Sequence, residues 1–251
     1  MNIAKFTTTK LTALILTLGL VSAFAAPSLF GQTRRTTPRR KYVSTTGSLL
    51  HPASLHATAP AVYDVKFHTT KGYFTVQVTR AWAPNGADRF YNLVEHHFYD
   101  GATLFRVVPK FVVQFGIPAD PRYGKIWANA NIKDDPVKES NLPGYITYAQ
   151  TSAPNSRSTQ VFINFGDNSR LDAMNFAPFG KVIEGMSVVE SFYGGYADQP
   201  TGMQDQITNQ GNAFLEKNFP KLDKILTARV VPAAPAHPAP HPPAHPKPAG
   251  H

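Results

Sequence analysis

Arg106 and Gln114 stand eight residues apart in LFRVVPKFVVQFG (104–116), a stretch that is otherwise apolar except for Lys110. Arginine stays protonated at ordinary pH and offers several N–H donors in a rigid fork. It is therefore suited to a fixed, charge-assisted hydrogen bond rather than to nucleophilic or base chemistry. The residues that usually carry such chemistry are poorly placed. The absence of cysteine excludes disulfides, thiolate metal sites and a Cys nucleophile. No G-x-S-x-G elbow, HExxH pair, phosphate-cradling glycine loop or EF-hand spacing occurs. His96 and His97 are neighbours in a helical pattern, so they face different ways and read as ordinary helix histidines. Asp134 and Asp135 read as a solvated loop pair. His237, His241, His245 and His251 lie in a proline-rich tail without the fixed geometry that a metal site needs. No metal and no cofactor is expected. What remains is chemistry without a nucleophile, a metal or a general base.

The elements around these residues read mostly as strands. VYDVKFHTT and GYFTVQVTR alternate with period two about a Thr-Lys-Gly turn, which predicts a hairpin. APNGADRFYNLVEHHF places Phe90, Leu93, Val94 and Phe98 at helical spacing. Residues 103–116 form a second hairpin about Val-Pro-Lys. Further strands are expected at 144–150, 160–165, 179–183 and 224–231. GMSVVESFY predicts a second helix with Met186, Val189 and Phe192 on one face. Residues 117–143 read as a long loop with little pattern. Many short strands and two helices predict a mainly β fold, a closed antiparallel barrel plugged by helices.

The ends differ in kind from the middle. Lys5 and Lys10, an apolar run from Leu11 to Ala25 and Ala23-Phe24-Ala25 read as a secretory signal peptide, residues 1–26. The run falls short of the roughly 20 residues that a spanning helix needs, so no membrane anchor is expected after cleavage. Residues 27–61 read as a basic, disordered linker and 62–231 as the folded domain. Residues 232–251, with eight prolines, read as an extended, disordered tail. The net charge of +9 belongs largely to the arms. Residues 63–230 hold all 16 acidic residues and 17 of the 25 Lys/Arg, leaving that region near +1. Arg34, Arg35, Arg39, Arg40 and Lys41 crowd the linker. The arm suits anionic surfaces and reads equally well as a soluble tether, while the domain gives no support for specific nucleic-acid binding.

FYDGATLFRVVPKFVVQFG, followed by SAPNSRSTQVFINFGDNSRLDAMNFAPFGKVIEGMSVVESF, resembles the cyclophilin family of peptidyl-prolyl isomerases, in order over about residues 63–195. The resemblance implies an eight-stranded antiparallel barrel capped by two α-helices. It implies isomerisation of X-Pro bonds. The signal peptide and the lack of cysteine add the expectation of a periplasmic or secreted protein acting on exported polypeptides, and a monomer is expected. Arg106 matches the catalytic arginine, aimed at the prolyl nitrogen as that nitrogen becomes pyramidal. Gln114 matches the glutamine that holds the arginine and the substrate backbone. Phe111, Val112, Phe162 and Leu171 match the proline-pocket walls. Ala149 and Gln150 match the strand that pairs with the extended peptide.

Three positions depart from the family pattern. Val112 replaces a methionine, Phe176 a histidine near a one-residue insertion, and Arg170 the groove-rim tryptophan, which implies weak cyclosporin affinity. Residues 117–143 and 196–223 look like additions to the minimal domain. Taken singly, Phe111, Phe162 and Leu171 read as core, and Arg106 reads equally well as a surface arginine on an edge strand. Their co-occurrence in the family's order carries the site. The alternative function is a non-catalytic module that grips proline segments. The tail's prolines are further expected to compete for the groove.

Overall fold

Tyr63, Val65 and Phe67 alternate with outward residues, and the strand β1 (Val62–Thr69) buries them against β2 (Gly72–Thr79). The register sets Phe67 opposite Phe74, where the two rings stack with centroids 4.6 Å apart. The molecule is described by a computed structural model over residues 49–232. The expected signal peptide, residues 27–48 of the expected linker and the tail beyond Pro232 lie outside the described residues.

The remaining strands are β3 (Arg106–Val108), β4 (Val112–Phe115), β5 (Tyr145–Tyr148), β6 (Val161–Asn164), β7 (Pro178–Glu184) and β8 (Ile225–Val231). They form one antiparallel sheet in the order β3-β4-β6-β5-β7-β2-β1-β8. A short seam joins its two ends. Gly101 donates to the Ile225 carbonyl at 2.8 Å, Ile225 to Ala102 at 2.9 Å and Leu104 to Asp223 at 2.9 Å. The expected eight-stranded barrel is therefore present, and residues 101–104 bridge its ends in place of a full β3–β8 ladder.

The helices α1 (Pro84–Glu95), α2 (Pro121–Ala128), α3 (Met186–Glu190), α4 (Gln204–Gln210) and α5 (Asn212–Asn218) exceed the expected pair. In α1, Phe90, Leu93 and Val94 face the core as their spacing requires. It ends before His96 and His97, and His97 takes a left-handed backbone, φ 61°. The second expected helix survives only as the five-residue α3, which still buries Val189. Among the described residues no helix is long and apolar enough to cross a membrane.

Three regions depart from expectation. Residues 117–143 contain α2, capped by Asp120, whose carboxylate accepts from Arg122 N at 2.9 Å, with Pro121 beginning the helix. Its Trp127 is fully buried and donates its indole N–H to the Leu49 carbonyl at 2.8 Å. Residues 49–61 of the expected linker are consequently part of the described fold. Residues 49–61 lie against the domain, with Leu49 and Ala59 in the core, and Asn92 bonding both backbone groups of Ala57.

Residues 196–223 supply α4 and α5, whose Ile207 and Leu215, with Phe219 just past α5, join Phe105 and Ile117 in a second apolar cluster. Gly211 makes the corner between them at φ +62°, where a Cβ would lie 2.3 Å from the Ala119 carbonyl oxygen.

Asp135 is also corrected. Rather than solvated, it is buried, accepts from Asn85 N and Gly86 N at the start of α1, and pairs with buried Arg157 at 3.1 Å. A buried carboxylate is kept there because two orphan helix N–H groups and one guanidinium compensate its desolvation.

Candidate active site

Antiparallel pairing brings Arg106 directly opposite Gln114, and Gln114 directly opposite Phe162. Residues facing each other across such a ladder point to the same side of the sheet. Period two then adds Val112, two residues before Gln114, and Gln160, two before Phe162. The alternate residues Val113, Phe115, Val161 and Ile163 point into the main core. One short run of strand thus builds the core on one face and a groove on the other.

The groove encloses about 230 Å³. All nine residues expected at the site line it: Arg106, Phe111, Val112, Gln114, Ala149, Gln150, Phe162, Leu171 and Phe176. Val112, Phe162 and Leu171 are buried, yet they form an apolar cluster of their own, separate from the main core. Phe176 meets Phe162 edge to face, with centroids 5.7 Å apart, so the position expected to hold a histidine carries an apolar wall. Arg170 lies at 5.1 Å over the Phe111 ring, and Arg106 at 5.3 Å over the same ring.

Polar groups along the groove form a directional chain. Arg106 Nη1 donates to Gln114 Oε1 at 3.1 Å, Gln114 Nε2 to Gln160 Oε1 at 2.9 Å, and Gln160 Nε2 to Gln204 Oε1 at 2.9 Å. A guanidinium only donates, so it fixes which end of Gln114 faces it, and each later amide follows. On its other side, Arg106 Nε donates to Asp198 at 2.5 Å. Gln150 donates to the Met174 carbonyl at 2.9 Å, tying the end of β5 to the 3-10 turn Ser169–Met174.

A second network stands behind the pocket wall. Asp172 accepts from Ser140 Oγ and from both nitrogens of Asn141. Asn141 also donates to the Phe176 carbonyl at 2.8 Å and accepts from Thr147 Oγ1 at 2.8 Å. Burial pushes the Asp172 carboxyl up, and the hydrogen bonds from Ser140 and Asn141 outweigh it, holding the group below the usual carboxylate range. Asn168 Nδ2 donates to the Phe111 carbonyl at 3.0 Å, fixing the opposite wall.

Sequence reasoning missed Gln160, Asp198, Thr201 and Gln204. Gln160 was within reach, because it shares the parity of Phe162 along a strand. The other three come from residues 196–204, where no periodic signal marks them. No group of three or more His, Asp or Glu that could hold a metal ion occurs among the described residues.

The family model for cyclophilin-type peptidyl-prolyl cis-trans isomerases matches residues 64–212. A peptidyl-prolyl cis-trans isomerase of Acinetobacter baylyi is 34% identical over 165 residues, covering 62% of this chain and 84% of that one. One from Streptomyces antibioticus is 29% identical over 150 residues, covering 56% and 89%. In fold, a cyclophilin-type isomerase structure from Cryptosporidium parvum superposes with a TM-score of 0.53 at 17% identity, covering 69% of this chain and 99% of that one. From the family model and the Acinetobacter relative together, the chain belongs to the cyclophilin-type peptidyl-prolyl cis-trans isomerase family.

Proposed function

We propose that the chain accelerates rotation about X-Pro bonds in polypeptides, with Arg106 as the catalytic residue and the Val112–Phe162–Leu171–Phe176 wall as the seat of the proline ring. Amide resonance sets a barrier of roughly 18–20 kcal/mol. Uncatalysed exchange consequently takes tens to hundreds of seconds. In the twisted state the prolyl nitrogen loses conjugation and gains a lone pair. A donor aimed there binds the twisted state better than either planar one, which is catalysis with no covalent step. Millisecond turnover requires about 10⁵-fold acceleration, or about 7 kcal/mol. A charge-assisted hydrogen bond in a dry groove and orientation of the peptide together supply an amount of that order.

The observation that carries this reading is the state of the guanidinium. Arg106 is held by hydrogen bonds at Nε and Nη1, while Nη2 bonds to no group among the described residues. Strand-like pairing with the peptide falls to the Ala149 carbonyl and the Gln150 backbone, because Ala149 N–H already donates to Gln160 at 2.9 Å.

Export is part of the same proposal. Its support is the order of Lys5, Lys10, the apolar run and Ala23-Phe24-Ala25 at the N-terminus. The substrates are then proline-containing polypeptides outside the cytoplasm.

Titration of an Ala-Pro-Phe peptide against an Ala-Ala-Phe peptide, followed by backbone NMR shifts, tests the pocket assignment. Only the proline peptide is expected to shift the groove residues. Phe176→Ala, removing about 1–2 kcal/mol of apolar contact, weakens binding about 5–30-fold. Equal responses to the two peptides contradict the assignment.

A further inference from the structure

Residues 194–204 approach Arg106 from outside the barrel. Tyr196 packs edge to face on Phe219, just past the end of α5, with centroids 5.1 Å apart, which anchors the segment in the second apolar cluster. Ala197 then takes a left-handed backbone, φ 45°, and forms a single bridge to Val107, the neighbour of Arg106 on β3. Alanine adopts that conformation at a cost, so it persists because its surroundings hold it. Ala197 N–H donates to Gly194 at 3.1 Å, and the following turn is closed by Thr201 N–H donating to Asp198 at 2.9 Å. The effect is to deliver the Asp198 carboxylate to Arg106 Nε at 2.5 Å.

A planar fork held at one nitrogen pivots about that hydrogen bond. Held at two nitrogens by acceptors on different elements, it has one orientation. Gln114 supplies the first acceptor, from β4. Asp198, from an added segment with no counterpart in the barrel strands, supplies the second.

We propose that Asp198 is a positioning residue for the isomerisation, fixing the Arg106 guanidinium so that Nη2 faces the groove. The inference rests on the reading of Arg106 as the catalytic residue. Asp198 touches no substrate in this account. Its side chain is 59% exposed, so its replacement leaves the packed core untouched.

The test compares wild type, Asp198→Ala, Asp198→Asn and Arg106→Ala in prolyl exchange on an Ala-Pro-Phe peptide. The expected result is a roughly ten-fold fall in kcat for Asp198→Ala with KM nearly unchanged. Asp198→Asn, which keeps an acceptor oxygen but not the charge, recovers part of the loss. The Arg106 Nε–H NMR signal reports the contact without reference to activity, and is expected to move upfield and exchange faster with water in Asp198→Ala. Arg106→Ala losing activity while Asp198→Ala keeps its full kcat, or while Asp198→Ala changes KM alone, overturns the inference and spares the reading beneath it. A wild type that binds the peptide without accelerating exchange overturns both.

Discussion

Arg106 and Gln114 face each other across one rung of the β3–β4 hairpin and share a 3.1 Å hydrogen bond from Nη1 to Oε1. A cation and an amide eight residues apart thus meet because a tight turn folds the chain back on itself. Pro109 opens that turn, and Lys110 takes the left-handed backbone, φ 66°, that lets Phe111 N–H reach the Val108 carbonyl at 3.0 Å. The same amide passes a hydrogen bond on to Gln160. It is the junction between the guanidinium and the rest of the groove.

Gln114→Ala is expected to lower kcat/KM about 10–100-fold, or about 1.4–2.7 kcal/mol of transition-state stabilisation. The substitution removes the Arg106 acceptor and leaves Gln160 Oε1 without its donor. Exchange NMR on a proline peptide measures the effect. A value within two-fold of wild type would show that the amide chain has no part in holding the arginine.

Asp135→Ala is expected to cost about 3–5 kcal/mol of stability, because it removes the buried partner of Arg157, leaving that guanidinium only the partly exposed Asp134 carboxylate and the Lys133 carbonyl, and uncaps α1. Asp134→Ala, at a partly exposed carboxylate, is expected to cost less than about 1 kcal/mol. Urea denaturation of the two variants side by side checks the contrast. Equal, small losses would return Asp135 to the role of a solvated loop residue.

Asp172 makes stability depend on acid pH. Its carboxyl titrates lower in the folded chain than in the unfolded one. Its contribution is therefore complete above the unfolded value, about pH 4, and is lost as pH falls through the folded value. Asp172→Asn is expected to cost about 1–3 kcal/mol at pH 7, where Ser140 loses its acceptor and the two Asn141 bonds lose their charge assistance. The gap from wild type should close towards pH 3. Denaturation midpoints at both pH values decide it, and a gap of constant size contradicts the assignment.

How much of this was legible in the sequence depends on the range of the interaction. Strand alternation is local, so the hairpins and the nine groove residues could be read from parity and from the family's order of motifs. The edge of α2 was also legible, since Asp120-Pro121 is a cap followed by a first-turn proline, although its short apolar pattern hid it. Residues 49–61 read as linker because their anchors are single contacts to distant residues, such as Leu49 to Trp127. Asp135 read as solvated because its partner Arg157 lies 22 positions away in an irregular segment. Asp198 lies 92 positions from Arg106 and reaches it only through the strained turn at Ala197. No local propensity encodes such a meeting.

The central claim is that Arg106 performs the isomerisation. Prolyl cis/trans exchange on a short Ala-Pro-Phe peptide, measured by NMR with wild type and Arg106→Ala, tests it most directly. The account predicts rapid exchange with wild type, falling at least 100-fold in the variant, about 2.7 kcal/mol, while the peptide still binds in the groove. Exchange that persists unchanged in Arg106→Ala would contradict it, and so would a wild type that binds the peptide and leaves its exchange rate unaltered.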